Sequence, residues 1–342
     1  MRHSRRLGWS VDVVSFDGWR PRSSVDECPA GLDERGVFRL SSPAGLEKAR
    51  EWADAQKAAI VHVHDPLLWE FASAVAQQTR ACTVATMHVL HRAMNRHRGI
   101  DGETMSSKSE HVVIEEADCL HVTTAWVAQE LSTLGKGIES RVRLASLGID
   151  DSEGARLSRA APKHGPVLYV GRFSDVKGTD TFIEALAKSG SKLGAIQVVG
   201  GLPHNPKREA RWKKRFEAAA PGRVEFMGWL TADELGRCYA QASVLVVPSR
   251  IETFGQVALE GLIHGVPVLA SRCAAFRDWL WPQDAAHFFD VGDANALSQQ
   301  LMALRHDSEA RNRLREHGAK AALSVLNWSK TFPALDAIYR EL

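Results

Sequence analysis

The sequence predicts an α/β protein made of two doubly wound parallel sheets. Three observations carry this. Short runs rich in β-branched residues (VDVVSF at 11–16, AIVHVH at 59–64, CTVAT at 82–86, PVLYV at 166–170, IQVV at 196–199, VLVV at 244–247, VPVLA at 266–270) alternate with segments of helical period, the pattern of a parallel sheet with crossover helices. Several of the runs are continuously apolar, as strands covered on both faces are. And 342 residues are too many for one ordinary core and suit two domains.

Composition excludes several function classes. The net charge of +2 gives no global field that would gather nucleic acid. The five cysteines, at 28, 82, 119, 238 and 273, are odd in number and scattered, without a C-x-x-C pair. They read as reduced thiols in a cytoplasm, and neither as a disulfide frame nor as a zinc site. No apolar run approaches the ~20 residues of a membrane span, and the first residues lack a signal-peptide core. Any membrane association is expected to be peripheral.

Taken in order, the chain reads as a strand at 11–16, a polar loop at 17–43, a helix at 44–58, a strand at 59–64, a helix at 67–79 and a strand at 82–86. A helix ending near Asp118, a strand at 119–123, a helix at 127–134 and a strand at 142–147 follow. Residues 151–165 read as a linker. The second half continues with strands at 166–170, 196–199 and 224–227, and helices at 178–188 and 207–219. Thr231-x-x-Glu234 reads as a capping box for the next helix. Helices start at Ala294 and Ser308, and 328–342 is an amphipathic terminal helix. The expected domains are 1–155, joined by 328–342, and 160–327.

The chemistry concentrates in 244–270, VLVVPSRIETFGQVALEGLIHGVPVLA. It reads as strand, loop, helix over 253–264, and strand, with Gly265 ending the helix and Pro267 forbidding its continuation. Loops at the carboxyl ends of parallel strands are where such sheets bind ligands. A helix opening at Gly255 offers unpaired N–H groups to an anion, and glycine lets the anion approach. Glu252 and Glu260, with seven residues between them, would accept hydrogen bonds from sugar hydroxyls on either side. The plain alternative is a capped helix and a solvated carboxylate.

This stretch resembles the E-x7-E signature of the retaining glycosyltransferases of the GT-B fold, specifically family 4. The resemblance implies two Rossmann-like domains with an interdomain cleft, and transfer of a sugar from a UDP- or GDP-sugar to a hydroxyl of a small molecule. It puts Glu252 against the transferred sugar, Thr253, Phe254, Gly255 and Gln256 around the diphosphate, and Glu260 on the ribose. Gly171-Arg172 and Lys177 match the family's Gly-Arg…Lys-Gly pair, whose two cations neutralise the leaving group. Gly228-Trp229 stands where the family seats the base. Thr86-Met87-His88 resembles the loop with the catalytic histidine, a residue suited to proton handling. The implied catalytic residues are therefore His88, Glu252, Arg172 and Lys177. No cofactor and no metal is implied.

Other features have plainer readings. His62 and His64 alternate on a strand and read as two polar residues near its end; His91 reads as a helix-surface residue. The basic segment 91–98, with Arg92, Arg96 and Arg98, reads as a solvated face rather than an anion or membrane surface. The basic helix 207–219 and the acidic run Glu110, Glu115, Glu116 and Asp118 read likewise. Two departures from the family stand out. Near its start the chain reads RRLGWSVDVVSFD, which resembles the end of the first helix and the second strand, so the family's first strand and Gly-rich turn do not stand in the given sequence; a start placed too late, a truncation, or loss of that wall of the cleft would each account for it. Ala145-Ser146-Leu147-Gly148 replaces the usual Pro-Asn-Gly. The first departure keeps open a non-catalytic nucleotide-sugar binder, and the fold keeps open an epimerase. The segment 88–107 resembles enzymes that glycosylate aminocyclitols in antibiotic pathways.

Overall fold

A computed structural model describes residues 13–15, 37–39, 58–100, 104–149, 165–283 and 285–342. The expected helix at 44–58 and linker at 151–165 fall almost wholly outside them. The chain divides into two compact units, Met1–Gly148 with Trp328–Leu342, and Ile149–Asn327.

In the first unit β1 (Val13–Ser15) and β2 (Val37–Arg39) form a parallel pair. The second of these lies inside the expected 17–43 loop. Its Val-Phe pair is too short and too isolated among polar residues to show periodicity. A four-stranded sheet holds β3 (Ile60–Val63), β4 (Cys82–Thr86), β5 (Cys119–Val122) and β6 (Val142–Leu144) in sequence order, all parallel. The helices α1 (Trp69–Thr79), α2 (His91–His97), α3 (Met105–Glu116) and α4 (Ala125–Ser132) connect them. Local chemistry sets their starts. Asp65 accepts from Leu67 N–H ahead of a 3₁₀ turn at Pro66–Leu68. Thr104 and Ser107 form a reciprocal capping box, and Thr124 accepts from Val127 N–H.

Alternate strand residues face opposite sides of this sheet. Ala85, Leu120 and Val122 pack with Trp69, Val127 and Leu131 on one side. Val84 and Cys119 pack with Ile338, Leu335 and Tyr339 of the terminal helix Trp328–Glu341 on the other. One expectation fails here: Glu110 is no solvated acid. It is 0% exposed, and its carboxylate accepts from the backbone N–H groups of His91 and Arg92 at the start of α2. Those donors have no partner within the helix, and burial pushes the Glu110 carboxyl pKa up.

The second unit holds β7 (Val167–Arg172), β8 (Ile196–Gly201), β9 (Val224–Gly228), β10 (Val244–Val247), β11 (Val268–Ser271) and β12 (His287–Phe289). The spatial order is β12-β11-β10-β7-β8-β9, and every pairing is parallel. The order reverses between β7 and β10, and a crevice at the carboxyl ends is expected where such a reversal occurs. The helices are α5 (Thr179–Ser189), α6 (Pro206–Ala219), α7 (Ala232–Gln241), α8 (Gln256–Ile263), α9 (Ala294–His306) and α10 (Ser308–Val325). Tyr169, Phe182, Phe216, Val246, Leu269 and Leu297 form part of one buried cluster. The Thr231/Glu234 capping box forms at α7. None of the helices among the described residues is long and apolar enough to cross a membrane.

Helix α8 starts at Gln256, later than Thr253. Gly255, with φ of 95°, is its N-cap. Phe254 stays in the loop because its ring is buried against Trp279, centroids 5.1 Å apart, while the indole N–H donates to the Phe254 carbonyl at 2.9 Å.

Gly178 ends the loop after β7 with φ of 62°, and a Cβ there would lie 1.8 Å from the carbonyl oxygen of Pro248, at the end of β10. Only glycine combines that backbone conformation with that approach. Gly178→Ala is expected to cost at least about 2 kcal/mol of stability, read by urea unfolding. A loss within about 0.5 kcal/mol, the range of an ordinary surface change, would contradict this reading.

Candidate functional site

The loops that follow β7 and β10 meet at the reversal point of the second sheet. Lys177, in the first, places Nζ 2.8 Å from both Oε1 and Oε2 of Glu252, in the second. Glu252 is 8% exposed and the Lys177 side chain 28%. Ser249 donates its hydroxyl to Glu252 Oε1 at 2.7 Å, and Ser271, from β11, donates to the Ser249 carbonyl. A buried carboxylate is stable only when its charge is matched and its lone pairs are occupied; Lys177 and Ser249 do both, and Ser271 holds the Ser249 backbone in place. Beside them Arg250 makes a two-pronged ion pair with Asp180, at 2.6 and 2.8 Å, and donates to the Asp175 carbonyl. It ties the β10 loop to the start of α5.

The remaining residues expected to bind a donor take their places along the same carboxyl edge of the sheet. Gly171 and Arg172 end β7, with the Arg172 side chain exposed. Thr253, Phe254 and Gly255 lead into α8, and Gln256 is its first residue. A helix's first N–H groups lack intrahelical partners and carry the positive end of its dipole, so the tip of α8 suits an anion. Glu260, one turn further on, accepts the Tyr239 hydroxyl at 2.8 Å. Tyr239 is buried, and its partner fixes the carboxylate's rotamer. Gly228 and Trp229 stand at the end of β9, with Trp229 51% exposed, three strands from β10 in the sheet order. Sequence reasoning missed Ser249, Ser271 and Tyr239. Pro248-Ser249 was visible as a strand end, but only the fold brings Ser271 and Tyr239 to these carboxylates.

In the first unit His88 follows β4, and it is not alone. His64 Nδ1 lies 2.9 Å from His88 Nε2, and the two rings stack with centroids 5.2 Å apart. His62 stacks on His64 at 4.3 Å. His62 also lies 2.6 Å from the Thr86 hydroxyl through Nε2, and 2.5 Å from the Tyr339 hydroxyl through Nδ1. Thr86 in turn contacts His121 Nδ1 at 2.8 Å, and His121 Nε2 donates to the Ala145 carbonyl at 2.9 Å. His62 and His64 do stand at a strand end, as their alternation indicated, and the fold adds partners that the sequence did not show. The parallel register that sets Thr86 against His121 is what assembles the group, and register is not written in local sequence.

Burial keeps these imidazoles neutral. It holds His121 and His64 at about 4 instead of 6.5, His62 well below 6.5, and lowers His88. Neighbouring histidines add to the shift in His62, His64 and His121. His64 keeps an exposed edge, so water weakens its share. His121, 4% exposed, is the firmer case. Among the described residues no three or more His, Cys, Asp or Glu side chains cluster in a way that could hold a metal ion. Cys82, Cys119, Cys238 and Cys273 carry no disulfide.

A pKa lowered on folding means that the unfolded chain takes up protons first. The stability these histidines contribute is therefore complete above about pH 6.5 and lost as pH falls toward about 4. Unfolding free energy is expected to drop on acidification, with a slope approaching about 1.4 kcal/mol per pH unit from His121 alone. Urea titrations across that window, on wild type and His121→Gln, check it: the variant's slope should be shallower, and equal slopes would contradict the assignment.

Comparison with known proteins follows the same division of the chain. The family model for glycosyl transferases group 1 matches residues 158–321, and that for a glycosyl transferase 4-like domain matches residues 1–148. The D-inositol 3-phosphate glycosyltransferase of Acidothermus cellulolyticus is 28% identical over 92% of this chain and 74% of its own length. The sulfoquinovosyl transferase of Arabidopsis thaliana is 30% identical over 57% of this chain, but only 39% of the plant protein is covered. Among solved structures, sucrose-phosphate synthase from Thermosynechococcus elongatus aligns with a TM-score of 0.75 at 23% identity, covering 98% of this chain and 90% of that one. Anabaena HepE, solved with UDP and glucose, aligns with a TM-score of 0.71 at 14% identity, covering 90% and 86%. At these identities the structural likeness shows the fold alone, which is GT-B.

Proposed function

This chain belongs to the group 1 glycosyltransferases, and we propose that it moves a sugar from a UDP- or GDP-sugar to a hydroxyl of a small-molecule acceptor, with retention at the anomeric carbon. The observation that carries the reading is the Lys177–Glu252 pair beside the Gly255-headed helix: one cation, one carboxylate and an anion-seeking helix tip converge on one strand end.

In this reading the diphosphate lies at the tip of α8. Arg172 and Lys177 supply the positive charge that offsets what develops on the departing phosphate. Glu252, held by Lys177 and Ser249, accepts from hydroxyls of the transferred sugar. Glu260, held by Tyr239, accepts from the ribose, and Gly228-Trp229 borders the base. The bond from the anomeric carbon to the phosphate oxygen breaks, the acceptor oxygen bonds to the same face of that carbon, and the acceptor's proton goes to the departing phosphate. His88, kept neutral by burial, hydrogen-bonds the sugar and the acceptor hydroxyl. The name of one relative, for D-inositol 3-phosphate, supports a cyclitol acceptor, with aminocyclitols within that class. The scattered free thiols support a cytoplasmic setting.

With Arg172 and Lys177 assigned to the leaving group, this reading calls for no divalent metal. Lys177→Ala is expected to lower kcat about 100-fold or more, the usual effect of losing one preorganised donor, while EDTA leaves the wild-type rate largely intact. Release of nucleoside diphosphate reads both, and urea unfolding checks that the variant is folded. An unchanged rate in Lys177→Ala removes it from the site; abolition by EDTA points to a metal-dependent enzyme.

A further inference from the structure

We propose that Tyr339, His62, Thr86 and His121 form a one-way hydrogen-bond chain anchored on the Ala145 carbonyl, and that His64, stacked on this chain, is the positioning residue of His88. The inference rests on the role proposed for His88.

The direction of the chain follows from one group that cannot donate. The Ala145 carbonyl only accepts, so His121 must carry its proton on Nε2. A neutral His121 then presents a lone pair at Nδ1, and the Thr86 hydroxyl donates to it. Thr86 has only that one hydrogen. It must therefore accept from His62, which fixes the His62 proton on Nε2. The neutral His62 ring is left with a lone pair at Nδ1, and the Tyr339 hydroxyl donates there. Burial pushes the Tyr339 phenol up to about 12, so it remains a donor throughout the working pH range. Each polar atom named has a partner, and each tautomer is determined. A satisfied network of this kind, buried at its Thr86–His121 end, fixes orientation as well as charge.

The chain joins three strands and the terminal helix. His62 sits in β3, Thr86 ends β4, His121 sits in β5, and Tyr339 comes from the last helix. It sets the plane of the His62 ring, and the His64 ring stacks on that plane at 4.3 Å with 27° between them. The His64 ring is nearly parallel to that of His88, at 20°, with Nδ1 2.9 Å from His88 Nε2. One of those two nitrogens must donate and the other accept, so the tautomers of His64 and His88 are locked together. Packing alone requires none of this: an apolar side chain in place of the buried His121 would fill the same space without the cost of desolvating an imidazole.

Two readouts test the proposal on the full chain. Histidine-ring ¹⁵N NMR at neutral pH is expected to show His62 and His121 as neutral Nε2–H tautomers, with Tyr339→Phe shifting the His62 Nδ1 resonance. A charged or Nδ1–H ring at either position overturns the chain. Kinetics read the positioning role as release of nucleoside diphosphate from the donor that wild type turns over fastest. His64→Ala is expected to lower kcat by about tenfold or more with donor KM little changed. His64→Asn, which keeps a polar group where Nδ1 was, should recover most of that loss. In a His88→Ala background, His64→Ala should cost nothing further. Fully additive losses, or a His64→Ala rate within about twofold of wild type, overturn the positioning role. An unchanged rate in His88→Ala overturns the assigned role of both histidines, and the ring resonances then decide on the hydrogen-bond chain alone.

Discussion

Glu252 is a carboxylate drawn out of water at the point where the second sheet reverses its strand order, and its pairing with Lys177 is the contact on which the candidate site depends. Taking an ion of that size out of water costs several kcal/mol after relaxation. Lys177 offsets the charge, and Ser249, itself held by Ser271, occupies a further lone pair. The two loops can meet only because Gly178 lets the backbone after β7 press against Pro248. Steric allowance, charge pairing and hydroxyl support thus act together to bring one cation and one acid to a helix tip. A phosphate and a sugar require that combination side by side.

The first unit solves a different problem by related means. Its imidazoles are uncharged, and what they need is not a counter-ion but a complete set of donors and acceptors. The Ala145 carbonyl at one end and the Tyr339 hydroxyl at the other supply it. The terminal helix therefore does more than cover an apolar face through Ile338 and Leu335: it delivers the hydroxyl that closes the chain. In the proposed reading the second unit would grip through charge, whereas the first withholds charge and relies on orientation.

Much of this was legible from residues. Val244–Val247 and Cys82–Thr86 are strands at the bounds their β-branched runs indicated: the first is a continuous apolar run between Ser243 and Pro248, and the second is rich in β-branched residues. The capping box at Thr231 and Glu234 was likewise readable locally. Helix α8 was expected three residues too early, since the buried stacking of Phe254 on Trp279, a contact remote in sequence, holds Phe254 in the loop. Glu110 read as solvated because its task, closing the start of another helix, appears only when α2 and α3 pack. Lys177 and Glu252 were each visible in a motif; that they bond directly, across 75 positions of sequence, belongs to the sheet order. His121 and Tyr339 lay beyond local reading altogether, because strand register and a returning helix bring them to His62.

The central claim is that the edge of the second sheet grips a diphosphate. Isothermal titration of the protein with UDP, UMP and uridine, and with the guanosine series, tests it directly. The account predicts one site per chain in one of the two series, with affinity rising steeply from nucleoside to monophosphate to diphosphate and falling with added salt. A nucleoside that binds as tightly as its diphosphate, or no binding in either series, would contradict it.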